Sequence, residues 1–160
     1  MRTYRLGFDV PAPMDEPAAA GDTLRVLLVE DDDDQRRLIA WMLRSQGWEV
    51  LEAASGVDLL DWIGKVTSTP MRVPFDVIVS DVNMPDLSAL EVLSGWRYGR
   101  WPTPIVLVTA SDEATMRSEA RALGASAVLA KPIEWDRLRR AVEQAAAGGR
   151  SGNVSRECPT

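Results

Sequence analysis

Five short apolar runs punctuate the chain: LRVLLV at 24–29, WEVLEA at 48–53, FDVIVS at 75–80, PIVLVT at 104–109 and AVLA at 127–130. Each has the length of a strand, and several are rich in Val and Ile, whose branched side chains suit a pleated surface. Four of the five are too continuously apolar for a sheet with one wet face, which points to parallel strands covered on both sides. The segments between them read as helices: 34–46 closed by Gly47, 56–63, 88–96, 112–123 closed by Gly124, and 134–146. Glycine just past a helix end adopts the left-handed cap conformation without steric cost. In the last segment Trp135, Leu138, Val142 and Ala145 share one face at helical spacing, and that face should pack on the sheet. A fivefold strand–helix alternation with short connections predicts an α/β fold. Its crossovers are right-handed, its parallel sheet is doubly wound with helices on both faces, and its ligand site lies at the carboxyl ends of the strands.

Outside these runs the pattern stops. Residues 1–23 are rich in Pro, Ala and acids without periodicity and are expected to be a disordered N-terminal extension. Residues 147–160, AGGRSGNVSRECPT, read as a polar C-terminal tail, which leaves 24–146 as the one domain. The length of 160 residues suits one domain, and 46% apolar with 26% charged residues is an ordinary soluble balance. A net charge of −6 gives no clustered basic face, so direct nucleic-acid binding is disfavoured. Cys158 stands alone and fits a reducing, cytoplasmic compartment. No apolar stretch nears the roughly 18 residues of a membrane span, and residues 1–20 have internal acids and prolines in place of a leader's apolar segment. Histidine is absent, which excludes Ser-His-Asp catalysis, a His metal site and a phosphohistidine. Any phosphoryl group must come from a partner or a small molecule.

The residues at the strand ends carry the candidate chemistry. Glu30 and Asp31 follow the first run, Asp81 the third, Thr109 closes the fourth and Lys131 follows the fifth. In a doubly wound sheet these ends are neighbours. Three carboxylates in one crevice repel unless a cation neutralises them, and hard oxygen ligands suit Mg²⁺. A carboxylate held beside a cation, a lysine and a hydroxyl is equipped to attack phosphorus and to stabilise the transferred oxygens, which makes Asp81 the natural nucleophile.

With VLLVEDDDDQRRLI, FDVIVSDVNMPDLSALEVL, PIVLVTAS and ASAVLAKPI in this order, the chain resembles the response-regulator receiver domains of two-component signalling over about residues 24–146. The resemblance implies a flavodoxin-like, chemotaxis-regulator-like sheet of order 2-1-3-4-5. By position, Asp81 matches the phosphoacceptor, and Glu30 and Asp31 match the acidic pair that holds Mg²⁺, for which Mn²⁺ can substitute. Asn83 matches the residue whose backbone carbonyl completes the metal site. Thr109 matches the switch hydroxyl and Lys131 the lysine that pairs with the phosphoryl group; Pro132 after it is the candidate for a cis peptide. The implied partners are a sensor histidine kinase or histidine phosphotransfer protein, and a downstream protein reached through the fourth helix, fifth strand and fifth helix. A homodimer through the fourth and fifth helices is also admitted. The dozen residues after 147 are too few for an output domain, so a protein partner is the expected readout. The implied role is that of a phosphoacceptor assisting its own phosphorylation and dephosphorylation, not a turnover enzyme.

Three departures from the family pattern stand out. Val128 occupies the switch position that is often aromatic, so an aromatic flip cannot be the readout. Ser88 and Ala89 replace an acidic or amide residue followed by Gly; a positive φ there would strain Ala89. GKVTSTPMRVP at 64–74 is longer than the family suggests and is expected as a local surface feature.

Taken singly, each motif has a plainer reading. The run Glu30 to Asp34 could be a solvated acidic cluster with Asp33 or Asp34 as a helix N-cap. Asp81 could cap a strand, Thr109 be an ordinary strand residue and Lys131 a surface lysine. Their joint occurrence at four strand ends favours the site. Trp41, Trp48, Trp62, Trp96, Trp101 and Trp135 are expected in or beside the core. The rival functions are a Mg²⁺-dependent phosphohydrolase with an Asp nucleophile, which typically needs an acid where Asn83 stands, and a pseudo-receiver that binds partners without phosphorylation.

Overall fold

The computed structural model describes residues 23–68, 75–96, 103–111 and 114–152. Most of the expected N-terminal extension, the middle of the 64–74 stretch and the end of the expected tail lie outside these residues. Among the described residues the chain alternates strictly: β1 (Arg25–Val29), α1 (Asp33–Arg44), β2 (Glu49–Ala53), α2 (Gly56–Ser68), β3 (Val77–Asp81), α3 (Ala89–Trp96), β4 (Ile105–Thr109), α4 (Ala114–Ala122), β5 (Ala127–Ala130) and α5 (Trp135–Gly152). All strand pairs are parallel and the order is β2-β1-β3-β4-β5, as expected.

Burial explains the sequence pattern. β3 and β4 are buried at every position and take unbroken Val/Ile/Leu runs. β2 lies at the sheet edge, where Glu49 and Glu52 face solvent and pair with Arg25 and with Arg36 and Arg44. The two-residue period of the strands then divides the core into two layers. Leu27, Val29, Ile78, Ile105, Leu107 and Val128 meet Leu59 of α2, Val92 and Leu93 of α3 and Ala120 of α4. Val26, Leu28, Val77, Val79, Val106 and Val108 meet Ile39, Ala40 and Leu43 of α1 and Leu138, Val142 and Ala145 of α5, with Trp135 partly buried beside them. Each large aliphatic side chain removed from water contributes about 1.5–3 kcal/mol, so these layers fix where the strand ends fall.

The caps settle several local expectations. Gly47 and Gly124 both have positive φ, as their places after α1 and α4 require. The N-cap of α1 is Asp32, whose side chain accepts from the Gln35 amide; Asp33 and Asp34, expected in that role, sit in the first turn instead. Ala89 carries no strain, because no described residue other than glycine has positive φ. It opens α3 fully buried, while Ser88 and Glu91 exchange side-chain and backbone hydrogen bonds as a capping box.

Three further points differ from expectation. Helix α2 runs on from residue 63 to Ser68, so the start of the 64–74 stretch is helical, with Lys65 over the Trp62 ring. Helix α5 continues past residue 146 to Gly152, through Gly148 and Gly149 of the expected tail. Gly149 crosses so close to the Pro104 ring that a β-carbon there would sit 3.2 Å from it, so close packing replaces the helix break that glycine suggests. Trp41 is not core: it is 69% exposed on the outer face of α1 beside Leu38, whereas Trp48, Trp62 and Trp135 are half-buried as expected. The side chains of Trp96 and Trp101 are outside the described set. No helix among the described residues is long and apolar enough to cross a membrane.

Candidate functional site

The carboxyl ends of β1, β3, β4 and β5 meet at one edge of the sheet because the strands are parallel and adjacent in register. Asp81, expected just past the third strand, is the last residue of β3 and pairs across to Val108; Thr109 follows and pairs to Ala130, which precedes Lys131. Glu30 leaves β1 tied to the sheet by its amide donating to the Ala53 carbonyl, 3.1 Å. Carboxylate oxygens of Glu30, Asp31 and Asp81 all lie within 4.8 Å of one another, with Glu30 and Asp81 buried and Asp31 open to solvent. Oxygens on opposite sides of an octahedral Mg²⁺ stand about 4.2 Å apart, so this donor set fits such an ion after small side-chain adjustments.

The counter-charge in the structure is Lys131. Its ammonium donates to Asp81 Oδ2 at 2.8 Å, to Glu30 Oε2 at 3.1 Å and to Gln35 Oε1 at 2.8 Å. Burial pulls the Lys131 ammonium down more than any other single influence, yet the hydrogen bonds and charges of Asp81 and Glu30 together outweigh it and raise its pKa above 10.5. For Glu30 burial dominates and raises the carboxyl above 4.5, with Asp81's charge adding to it, against the lowering hydrogen bond from Lys131. A buried acid pushed up beside a second carboxylate is a site short of positive charge. The peptide bond between Lys131 and Pro132 is cis.

The rest of the site is braced from outside. Asp81 Oδ1 accepts from the Asn83 amide at 3.0 Å, which turns the loop after β3 over the strand end. Thr109 is fully buried, and its Oγ1 accepts from the Ser111 amide at 3.0 Å, so the hydroxyl is tied to the loop it begins. Val128 is buried in the core layer of α2, α3 and α4.

Three contributors escaped the sequence reading. Gln35 reaches Lys131 from the first turn of α1. Arg36 donates to the Glu30 carbonyl at 2.9 Å and bonds Asp33, which with the charge of Glu52 raises its pKa. Asp86 accepts from the Gly56 and Val57 amides at 3.2 and 3.0 Å, clipping the loop after β3 to the start of α2. These bonds, the Val57 one foremost, hold the Asp86 carboxyl below 3.8. The available signal was position: Gln35 lies four residues after Asp31, one helical turn on, and Asp86 three after Asn83 in the same loop.

Compared with known proteins, residues 26–143 match the response regulator receiver domain family. The chain is 33% identical over 115 residues to the cell cycle transcriptional regulator CtrA of Caulobacter vibrioides, covering 72% of this chain and 47% of that protein. It is 31% identical over 126 residues to the sensor histidine kinase RcsC of Salmonella typhi, covering 79% of this chain and 13% of that protein. The chain therefore spans less than half of either relative. Among solved structures, the Vibrio cholerae chemotaxis protein CheY4 superposes with a TM-score of 0.64 at 30% identity, over 77% of this chain and 98% of that one. The receiver domain of a putative LuxO repressor from Vibrio parahaemolyticus shares the fold at a TM-score of 0.74 and 24% identity, over 85% of this chain and 99% of that one. The motifs, the sheet order and the family match agree: this chain belongs to the response-regulator receiver domains of two-component signalling.

Proposed function

We propose that this receiver accepts a phosphoryl group on Asp81 in a Mg²⁺-dependent reaction and passes the event to a protein partner. The observation that carries the proposal is the convergence of Glu30, Asp31 and Asp81 within 4.8 Å beneath a lysine bonded to Asp81 at 2.8 Å. Glu30 and Asp31, Asp81 itself and the backbone carbonyl of Asn83 would hold the metal. When bound, Mg²⁺ supplies positive charge against the oxygens of the transferring group.

The donor is a phosphohistidine of a histidine kinase or phosphotransfer protein, as membership of the receiver family implies. An Asp81 carboxylate oxygen attacks phosphorus, the P–N bond breaks, and its electron pair returns to the donor imidazole. The product is an acyl phosphate on Asp81. Lys131 pairs with the new oxygens from its place over the carboxylate, and Thr109 swings its hydroxyl toward them, its proton donated to the phosphoryl group while Oγ1 keeps the Ser111 amide. Because that hydroxyl is bonded to the loop after β4, the swing draws the loop with it. This is the route open to a receiver with Val128 where an aromatic switch often stands. The loop then biases the surface of α4, β5 and α5, which meets the downstream protein in the cytoplasm or a second copy of the chain. The chain acts as a phosphoacceptor and not as a turnover hydrolase: Asn83 stands where such enzymes carry their second acid.

Intact-mass spectrometry after incubation with acetyl phosphate and Mg²⁺ tests the proposal. An adduct on the wild type and none on Asp81→Asn is the expected result. No adduct on a protein that binds Mg²⁺ would replace it with a phosphorylation-independent interaction module. Backbone structures of the loop after Thr109 that coincide with and without a phosphoryl mimic would remove the switch route.

A further inference from the structure

An ammonium has three N–H donors, and all three of Lys131's are in use in the structure. Two go to Asp81 and Glu30 and the third to the Gln35 amide oxygen at 2.8 Å, across 96 residues of sequence. The three acceptors differ in kind. Asp81 and Glu30 are the carboxylates assigned above to a divalent cation, and a cation drawing on their charge weakens their hold on Lys131. Gln35 is neutral and carries no charge for a cation to draw on. Its backbone is fixed independently, because its own amide donates to the Asp32 cap of α1 at 2.9 Å.

We propose that Gln35 is a positioning residue that keeps the Lys131 ammonium over Asp81 when the two carboxylates are engaged by a divalent cation. The inference rests on the metal-site reading of Glu30, Asp31 and Asp81. Without Gln35 the metal-free protein still gives Lys131 two carboxylate partners, but the metal-loaded protein leaves the half-buried ammonium with no acceptor that a cation does not also engage. Losing Gln35 therefore costs the loaded state more than the free state, and Mg²⁺ affinity falls even though Gln35 is no ligand.

The test is a double-mutant cycle on Mg²⁺ binding by calorimetry, with Gln35→Leu, Lys131→Met and the two combined. Gln35 is exposed and its side chain takes no part in the helix cap, so Gln35→Leu leaves folding intact, which the thermal transition checks. Gln35→Leu alone should weaken Mg²⁺ binding by about tenfold, the scale of one hydrogen bond to a charged group. In the Lys131→Met background the same change should do nothing, because Gln35 acts through the lysine. In acetyl phosphate reactions at saturating Mg²⁺, Gln35→Leu should also slow adduct formation. Equal Mg²⁺ affinity for wild type and Gln35→Leu overturns the inference, as does an equal loss in both backgrounds. A wild type that binds no Mg²⁺ at millimolar concentration fails the metal reading itself, an outcome distinct from either.

Discussion

Replacing Lys131 by Met tests how the site is held together in the absence of metal. The ammonium stands 2.8 Å from Asp81 Oδ2 and 3.1 Å from Glu30 Oε2, and both acids are buried. At an effective dielectric constant near 20 these attractions are each about 5–6 kcal/mol before the ammonium's desolvation, itself several kcal/mol, is subtracted. Removing one partner of a buried pair costs about 3–5 kcal/mol, chiefly because a charge stays behind unpaired. Here Asp31 and part of Lys131 reach solvent, so a loss of about 2–4 kcal/mol is expected. Urea unfolding at neutral pH with a chelator present measures it. Asp81→Asn combined with Lys131→Met should recover most of the loss, and Mg²⁺ at about 100 times its dissociation constant should return about 2.7 kcal/mol by mass action. Alkaline unfolding reports the same interaction. A lysine whose pKa is raised on folding stabilises the protein fully below 10.5, and that contribution is lost as pH rises through the folded-state value. A Lys131→Met protein as stable as wild type in chelator, with no gain from Mg²⁺, would refute the view of Lys131 as the counter-ion of two buried acids.

Other positions give independent checks. Glu30→Gln should weaken Mg²⁺ binding by at least about tenfold, measured by calorimetry, while raising metal-free stability. The sign follows from a carboxyl raised on folding: its stabilising contribution is present below pH 4.5 and is lost as pH rises through the folded value, so ionised Glu30 is a cost at neutral pH. Gly56→Ala should destabilise by about 1–3 kcal/mol in denaturant unfolding, because the added β-carbon would lie 2.4 Å from the Leu87 carbonyl oxygen and the loop after β3 must move. Asp86→Ala should abolish hydrogen-exchange protection of the Gly56 and Val57 amides. In the wild type that clip is present above pH 3.8 and is lost as pH falls through the lowered folded value.

What could be read from sequence divides along a physical line. The strands, the burial of β3 and β4 on both faces and the polar carboxyl ends of β1, β3, β4 and β5 were readable, because a strand sandwiched between helix layers must be apolar and a polar residue at its carboxyl end then stands out. The glycine caps at 47 and 124 were readable for a similar reason: few other residues accept their φ of 78° and 103°. Helix ends set by tertiary contact were not. Nothing local announces that α5 continues through Gly148 and Gly149, since the cause is the Pro104 ring lying against the helix. Trp41 misled because bulk suggests burial, whereas its angular position on α1, opposite Ile39 and Leu43, sends it outward.

The same line runs through the site. The candidate site residues that converge in the structure carry charge or a hydroxyl at a strand end and stand out in the sequence; residues that hold them in place look ordinary. Gln35 and Asp86 resemble any polar residues of a helix start and a turn, and only the distances of 2.8 Å to Lys131 and 3.0 Å to the Val57 amide give them roles. This distinction bears on how the receiver changes state. Asp81 sits on a strand buried on both faces, a rigid support that has little room to move. The groups around it hang from α1 through Gln35, from α2 through Asp86 and from the loop after β4 through Thr109. On the proposed function, a charge added to Asp81 would act on hydrogen-bonded attachments around a fixed point. Of these attachments, Thr109 is the one whose bond, accepted from the Ser111 amide, involves neither a charged group nor the start of a helix.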